Sequence, residues 1–156
     1  GDESFNAADA VRGAVNAVRG EVLIGTAAVQ ATPAILAEPS VVKVVTGNDG
    51  RAMYFSRAPI PYLREAKDLT ESALLRQHVW QHVGVYAHTR QALCPWGSLA
   101  PHPLERIERL EQLRPLAAGM AIGVALIQGP LRSGIDTESD LARANSDWTI
   151  LSGEPA

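Results

Sequence analysis

Residues 41–56 read VVKVVTGNDGRAMYFS and contain the clearest local signal in the chain. The first half is rich in valine, which favours a strand over residues 41–46. Asn48-Asp49-Gly50 follows, and these residue types tolerate the positive φ angles of a tight turn. Residues 53–56 then return as a second strand. The stretch therefore predicts an antiparallel hairpin.

Helix and strand patterns alternate on both sides of this hairpin. Valines at helical spacing, followed by Gly20, predict a helix over residues 7–19. A leucine-rich segment that opens with Pro103 predicts a second long helix over 103–116. Three further elements are a short helix at 69–76, a helix at 136–147 and a proline-containing, charged loop or extended arm at 57–68. Strands are expected at 21–29, 80–88 and 121–127.

Strands alternating with helices predict an α/β fold with a mixed, mostly parallel sheet flanked by helices and interrupted by the antiparallel hairpin. Residues 1–150 are expected to form one domain, followed by a tail at 151–156. The strand at 80–88 alternates strictly, so one aliphatic face should meet the core. The opposite, polar and aromatic face carries Trp80, His82, Gly84, Tyr86 and His88.

The composition excludes several classes of protein. The chain has 156 residues, of which 46% are hydrophobic and 20% charged, as in a globular domain with a sizeable core. The net charge of −3 without a basic block argues against nucleic-acid binding. No apolar run approaches the roughly 18 residues of a membrane helix. A single cysteine, Cys94, and the lack of a signal-peptide pattern favour the cytoplasm.

Two carboxylates and two strand residues are candidates for a polar ligand. Asp2 and Asp136 precede predicted helices and should follow strand ends, where they could hold a divalent cation. The alternatives are a frayed terminus for Asp2 and a helix cap for Asp136. His82 and Tyr86 lie about 13 Å apart along a regular strand. They could line an elongated polar ligand, or both could pack inside the core.

A second group of candidates lies on the leucine-rich helix and after the hairpin. Glu111 and Gln112 either belong to a solvated helix face or point into a cleft, where a hydroxyl-rich ligand would satisfy them. Arg57 could clamp a carboxylate through two hydrogen bonds or pair with an acidic side chain. The remaining histidines have no spacing typical of metal ligands and are expected at the surface: His78, His88 and His102.

Taken in order, several motifs resemble one family, the 3-deoxy-manno-octulosonate (Kdo) cytidylyltransferases, over their carboxyl-terminal two thirds. The motifs are Gly1-Asp2-Glu3, Ser40-Val41-Val42-Lys43-Val44-Val45, Met53-Tyr54-Phe55-Ser56-Arg57-Ala58-Pro59-Ile60-Pro61-Tyr62, His82-Val83-Gly84-Val85-Tyr86, Pro103-Leu104-Glu105, Leu110-Glu111-Gln112-Leu113-Arg114 and Gly134-Ile135-Asp136-Thr137. The segment ending at Tyr62 and the run from Leu110 to Arg114 are the most specific.

The resemblance implies a nucleotidyltransferase with a nucleotide-diphospho-sugar transferase-like fold. Its members transfer CMP from CTP to a 2-keto sugar acid and release pyrophosphate. It further implies that Mg²⁺ is held by Asp2 and Asp136. The sugar acid is expected to meet five residues: Arg57, His82, Tyr86, Glu111 and Gln112. A homodimer is also implied, with the arm after the hairpin and the following strand as its surface.

The chain departs from the family pattern at a few positions. Gln81 stands where arginine is usual, His88-Thr89 where tyrosine and arginine are usual, and His102 where serine is usual. The sugar acid is therefore expected to be Kdo or a close analogue. The glycine-rich, nucleotide-binding part with which members of the family begin is not recognised in this sequence, and it is expected either ahead of Gly1 in a longer protein or on another chain. The alternative is a noncatalytic sugar-acid-binding or dimerisation module, or a piece inactive without its nucleotide-binding half.

Overall fold

The computed structural model describes residues 7–62 and 79–128, which form a five-stranded sheet with helices on both faces. The predicted helices at 69–76 and 136–147 lie outside the described residues. The helices are α1 (Ala7–Ala17), α2 (Pro33–Leu36), α3 (Arg90–Ser98), α4 (Pro103–Glu108) and α5 (Leu113–Ala117). The strands are β1 (Ile24–Gln30), β2 (Lys43–Thr46), β3 (Ala52–Ser56), β4 (Val79–His88) and β5 (Ile122–Leu126).

The strand order is β3-β2-β4-β1-β5, and the sheet is mixed but mostly antiparallel. Only the β1–β5 pair is parallel, while β1–β4, β2–β3 and β2–β4 are antiparallel. The prediction of a mostly parallel sheet is therefore wrong. Alternating helices and strands suggested parallel crossovers, but the helices after β4 lead to β5, which pairs with β1 rather than with β4.

The hairpin predicted from the valine run is confirmed as β2 and β3. Its turn is closed by the Gly47 N–H, which donates to the Arg51 carbonyl at 2.9 Å, and by the Asp49 carboxylate, which accepts from the Arg51 N–H at 3.0 Å. Gly50 has a φ of 75°, a conformation that strains residues with a Cβ. The turn residues and the strand residues therefore favour the same structure, which is why the hairpin could be predicted from the sequence.

Helix α1 forms as predicted, but it packs through its small residues and not through its valines. Val11 and Val15 are 46% and 56% exposed, whereas the residues that face the sheet are Ala10, Gly13, Ala14 and Ala17. A Cβ on Gly25 of β1 would overlap the Ala14 carbonyl oxygen. The helix backbone thus lies directly on the sheet, and valines at the contact would hold it away.

The predicted helix over 103–116 is two short helices, α4 and α5, separated by a turn. Arg109 ends α4 in the left-handed conformation, with φ 54° and ψ 49°. Pro115 has no N–H to donate to the Glu111 carbonyl, and its ring would clash inside a continuous helix. The helix restarts at Leu113, which places Pro115 in a first turn where proline is tolerated.

The sheet separates two hydrophobic layers. The smaller layer lies between α1 and one face of the sheet and consists of Ala10, Ala27, Val29 and Val83. The larger layer on the opposite face includes the α4–α5 segment and consists of Ile24, Ala28, Val44, Ala52, Phe55, Trp80, Ala92, Leu110, Leu113, Ile122 and Val124. His82 and Tyr86 pair with Ala28 and Thr26 of β1, so they belong to this second face.

Candidate functional site

The polar and aromatic face of β4 belongs to a cluster of five neighbouring rings, three on β4 and two from other elements. Tyr86 is at the centre, with ring centroids 5.4 Å from His82, 5.9 Å from His88 and 6.1 Å from Trp96 of α3. Phe55 of β3 meets the other side of His82 at 5.0 Å. The rings of His82 and Tyr86 are therefore much closer than the separation of about 13 Å expected along a regular strand.

An irregularity in β4 accompanies this arrangement. Thr26 of β1 pairs with Tyr86, but the next residue, Ala27, pairs with Val83. Gly84 and Val85 thus have no partner residue in the β1–β4 register. Such bulges bend a strand and redirect side chains, and they are frequent beside functional sites. The alternation in the sequence predicts which residues share a face of the strand, but it does not predict where the strand has a bulge.

Thr26 determines which nitrogen of His82 holds the proton. Its hydroxyl lies 2.7 Å from the Val85 carbonyl oxygen and 2.9 Å from His82 Nε2. A hydroxyl has one hydrogen to give, and the carbonyl can only accept, so Thr26 donates to Val85 and accepts from His82 Nε2–H. This leaves Nδ1 of His82 as a hydrogen-bond acceptor, suited to a ligand hydroxyl.

Burial lowers the pKa of His82 to about 4, because the charged imidazolium loses its hydration. The neutral ring therefore predominates at pH 7. Between pH 6.5 and 4 the unfolded chain binds a proton on this residue that the folded chain does not, so stability falls as the pH falls.

We expect a measurable consequence in the pH dependence of stability. From pH 7 to pH 5 the His82 contribution should lower the free energy of unfolding by about 2 kcal/mol. His82→Gln has no group that titrates in this range and keeps a side chain able to bond Thr26. Urea unfolding at both pH values should therefore show a smaller loss for the variant. Equal losses in both proteins would show that His82 protonates as freely when folded as when unfolded.

Two polar atoms in the ring cluster are buried and have no hydrogen-bond partner within the described part of the chain. They are the Tyr86 hydroxyl and Nδ1 of His88. Burial, followed by the charge of Glu111, raises the pKa of Tyr86. An unmet buried polar group costs about 1–3 kcal/mol. Within the described residues, the cluster therefore offers two buried polar atoms with which a polar ligand could form hydrogen bonds.

His88 was expected at the surface, and this expectation is wrong. Its ring is half-buried, stacks on Tyr86 and meets Trp96 edge-on at 4.8 Å. The alternation of β4 already placed His88 on the face of His82, so the signal was present in the sequence. His102 is a helix cap: its Nδ1 accepts from the Leu104 N–H at 3.2 Å, in the position where the family usually has serine.

Arg57 lies directly after β3, and its guanidinium is already engaged by the protein. Nε donates to the Glu108 carbonyl at 3.1 Å, and Nη1 donates to the carbonyls of Pro39 and Ser40 at 3.2 and 3.3 Å. Within the described residues, Nη2 is the guanidinium nitrogen that has no protein partner. A single charge-assisted bond through Nη2 is therefore what Arg57 can offer a ligand without releasing these carbonyls.

Sheet register brings Arg57 towards His82. Ser56 pairs with Lys43, which pairs with Gln81, and the His82 N–H donates to the Val42 carbonyl at 2.9 Å. Extending the row by one residue aligns Arg57, Val42 and His82 across three strands. Aligned residues share a face of the sheet, and two strand spacings separate Arg57 from His82 by about 10 Å.

Glu111 and Gln112 occupy the turn between α4 and α5, not the surface of one continuous helix. Gln112 is 1% exposed, whereas Glu111 is exposed. Leu110 and Leu113, on either side of these two residues, belong to the hydrophobic cluster against which Tyr86 packs, so the turn lies beside the ring cluster. The two residues therefore differ in burial, and Gln112 is the one held inside the fold.

The predicted metal ligands Asp2 and Asp136 lie outside the described residues. Within residues 7–62 and 79–128, no group of three or more His, Cys, Asp or Glu side chains is arranged to hold a metal ion. In the same part of the chain, every helix is too short or too polar to span a bilayer.

A model of the cytidylyltransferase family matches residues 5–122. The chain belongs to the cytidylyltransferase family. This match covers β1 to β4, the ring cluster and the turn that holds Gln112, so the described site lies within the part of the chain that carries the family's pattern.

Similar cytidylyltransferases are longer than this chain. A 3-deoxy-manno-octulosonate cytidylyltransferase of Gemmatimonas aurantiaca is 56% identical over 152 residues, which are 97% of this chain and 57% of that protein. One from Stenotrophomonas maltophilia is 40% identical over 149 residues, 94% of this chain and 58% of that protein. A solved CMP:2-keto-3-deoxy-manno-octonic acid synthetase in complex with CTP is 32% identical with a TM-score of 0.75, covering 88% of this chain and 54% of that one.

Proposed function

We propose that the protein carrying this chain is an enzyme that transfers CMP from CTP to Kdo or a closely related 2-keto sugar acid, with release of pyrophosphate. The observation that carries the proposal is the polar and aromatic face of β4, placed in a fold similar to that of a CTP-bound synthetase. Three groups share one side of the sheet: the neutral ring of His82, the Tyr86 hydroxyl and Arg57 Nη2, and the last two have no partner among residues 7–62 and 79–128.

These groups match the chemistry of a sugar acid. Arg57 Nη2 offers a charge-assisted bond to a carboxylate. Nδ1 of His82 accepts from a hydroxyl, and the Tyr86 hydroxyl can donate or accept. Aromatic rings beside these polar atoms supply the apolar contact that the C–H faces of a sugar need. A neutral sugar would leave the Arg57 charge unmatched, so the site favours an acid.

The proposed reaction requires Mg²⁺, which Asp2 and Asp136 would bind. Carboxylate oxygens are the ligands that Mg²⁺ prefers. When bound, the ion would neutralise the triphosphate of CTP and promote attack by a sugar hydroxyl on the α-phosphorus. The nucleotide-binding part, the homodimer and the cytoplasmic location remain predictions, and residues 63–68 of the predicted arm lie outside the described part of the chain.

Gln112→Ala should weaken the binding of the sugar acid more than the binding of CTP. Removing a buried group that bonds a sugar hydroxyl costs about 1–3 kcal/mol, so the KM for Kdo should rise roughly tenfold or more while the KM for CTP stays within twofold. Glu111→Ala is expected to act in the same direction. The measurement is pyrophosphate release at varied Kdo and at varied CTP.

Gln91→Ala is the matched control, because Gln91 is an exposed glutamine on α3. It should leave both KM values unchanged. If Gln112→Ala and Glu111→Ala both behave like Gln91→Ala, the turn between α4 and α5 does not bind the sugar acid. A parent protein that releases no pyrophosphate with any 2-keto sugar acid would contradict the proposed function itself.

A further inference from the structure

The turn after β3 is held by an interaction with α4 that joins residues 52 positions apart. The Ser56 hydroxyl donates to Glu108 Oε1 at 2.5 Å, and the Arg57 N–H donates to Glu108 Oε2 at 3.0 Å. The Glu108 carbonyl accepts from Arg57 Nε at 3.1 Å. Glu108 therefore binds the backbone and the side chain of Arg57 at once.

Lys43 completes this arrangement from the other side of Arg57. Its side chain is fully buried, and Nζ donates to the carbonyls of Glu38, Val41 and Arg57 at 2.9, 2.7 and 2.5 Å. The N–H of Arg57 is thus fixed by Glu108 and its carbonyl by Lys43. Together with the bonds of Nε and Nη1, these contacts orient the guanidinium, and Nη2 is the nitrogen that they leave without a partner among the described residues.

We propose that Glu108 is a positioning residue for the acidic substrate: it orients Arg57 and does not touch the ligand itself. This inference rests on the proposed function, in which Arg57 binds the carboxylate. The Glu108 side chain is half-buried, and both of its oxygens are engaged by Ser56 and Arg57. The Glu108 carboxylate holds the main-chain N–H of Arg57, and the Glu108 main-chain carbonyl holds Nε of its guanidinium, so one residue of α4 fixes both the base and the end of the arginine side chain.

The test compares four single variants and one double variant in steady-state kinetics. Glu108→Gln keeps the side-chain volume but replaces one acceptor oxygen by an NH₂ group, and Ser56→Ala removes the other contact without changing a charge. Each should raise the KM for Kdo about tenfold, leaving the KM for CTP and kcat within about twofold. Glu105→Gln is the matched control, since Glu105 also lies on α4 in an ion pair, with Arg114. It should lower the melting temperature and leave the KM for Kdo unchanged.

The fourth variant, Arg57→Met, separates this inference from the proposed function. If Glu108 acts through Arg57, adding Glu108→Gln to Arg57→Met should change the KM for Kdo less than twofold. If Arg57→Met itself leaves the KM for Kdo unchanged, the proposed role of Arg57 fails. If Arg57→Met raises that KM but Glu108→Gln and Ser56→Ala do not, the positioning role of Glu108 is wrong. Ser56→Ala decides the matter if Glu108→Gln does not fold.

Discussion

Asp136→Asn should lower turnover by orders of magnitude and leave the melting temperature almost unchanged. Asparagine has nearly the same volume and caps a helix as well as aspartate does, so a capping role would survive the change. A hard Mg²⁺ ion depends on the carboxylate charge far more than on a neutral amide. The measurement is pyrophosphate release at several Mg²⁺ concentrations, together with thermal unfolding.

Asp147→Asn removes the same charge from the same carboxyl-terminal segment and serves as the control. We expect it to retain parental turnover. If Asp136→Asn also turns over within about threefold of the parent at every Mg²⁺ concentration, a difference below about 0.7 kcal/mol in the barrier, Asp136 does not bind the metal.

Gly25→Ala should be the most destabilising single methyl addition in the sheet. The added Cβ would overlap the Ala14 carbonyl oxygen of α1, a backbone atom that cannot rotate away. Overpacking usually costs about 1–3 kcal/mol, and we expect the upper end or more because the whole helix would have to shift. Urea unfolding of the purified protein measures the loss as a lowered midpoint.

Gly84→Ala is the matched control in a strand, because among the described residues, chain neighbours aside, nothing lies within 4 Å of the position where its Cβ would be. Its stability should stay close to that of the parent. If the free energies of unfolding of Gly25→Ala and Gly84→Ala differ by less than about 1 kcal/mol, helix α1 does not lie as close to β1 as the structure places it.

Local chemistry made some elements predictable. The hairpin of β2 and β3 has turn residues and strand residues that agree, and β4 alternates over nearly its full length. The face of α1 that packs on the sheet could not be predicted from its valines. How closely the helix approaches the sheet depends on glycines in the strands. The need for glycine at positions 25 and 123 cannot be inferred from their sequence neighbours, because it arises only when β1 and β5 pack beneath the helix. A Cβ on Gly123 would come within 2.5 Å of the Ala17 carbonyl oxygen.

The break between α4 and α5 had a signal in the sequence that the leucine spacing obscured. Pro115 excludes a continuous helix over 103–116, since it cannot donate to the Glu111 carbonyl. The break matters for the site, because it turns Glu111 and Gln112 from helix-surface residues into turn residues beside Tyr86. Periodicity describes an assumed helix and does not test whether the helix is continuous.

The candidate site was predictable as a set of residues but not as a geometry. The motifs singled out Arg57, His82 and Tyr86, whereas the links that orient them join distant segments. Thr26 fixes the His82 tautomer across 56 residues, and Glu108 holds Arg57 across 51. Such contacts follow from the sheet register and from where α4 ends, and both are products of the whole fold.

The most direct test of the account is phosphorus NMR of the full polypeptide that carries this sequence, incubated with CTP, Mg²⁺ and Kdo. We expect the triphosphate signals to disappear while a phosphodiester of CMP and free pyrophosphate form in equal amounts. With mannose in place of Kdo, or with EDTA present, CTP should persist. CTP that remains intact with every 2-keto sugar acid offered, or transfer to mannose at the same rate as to Kdo, would contradict the account.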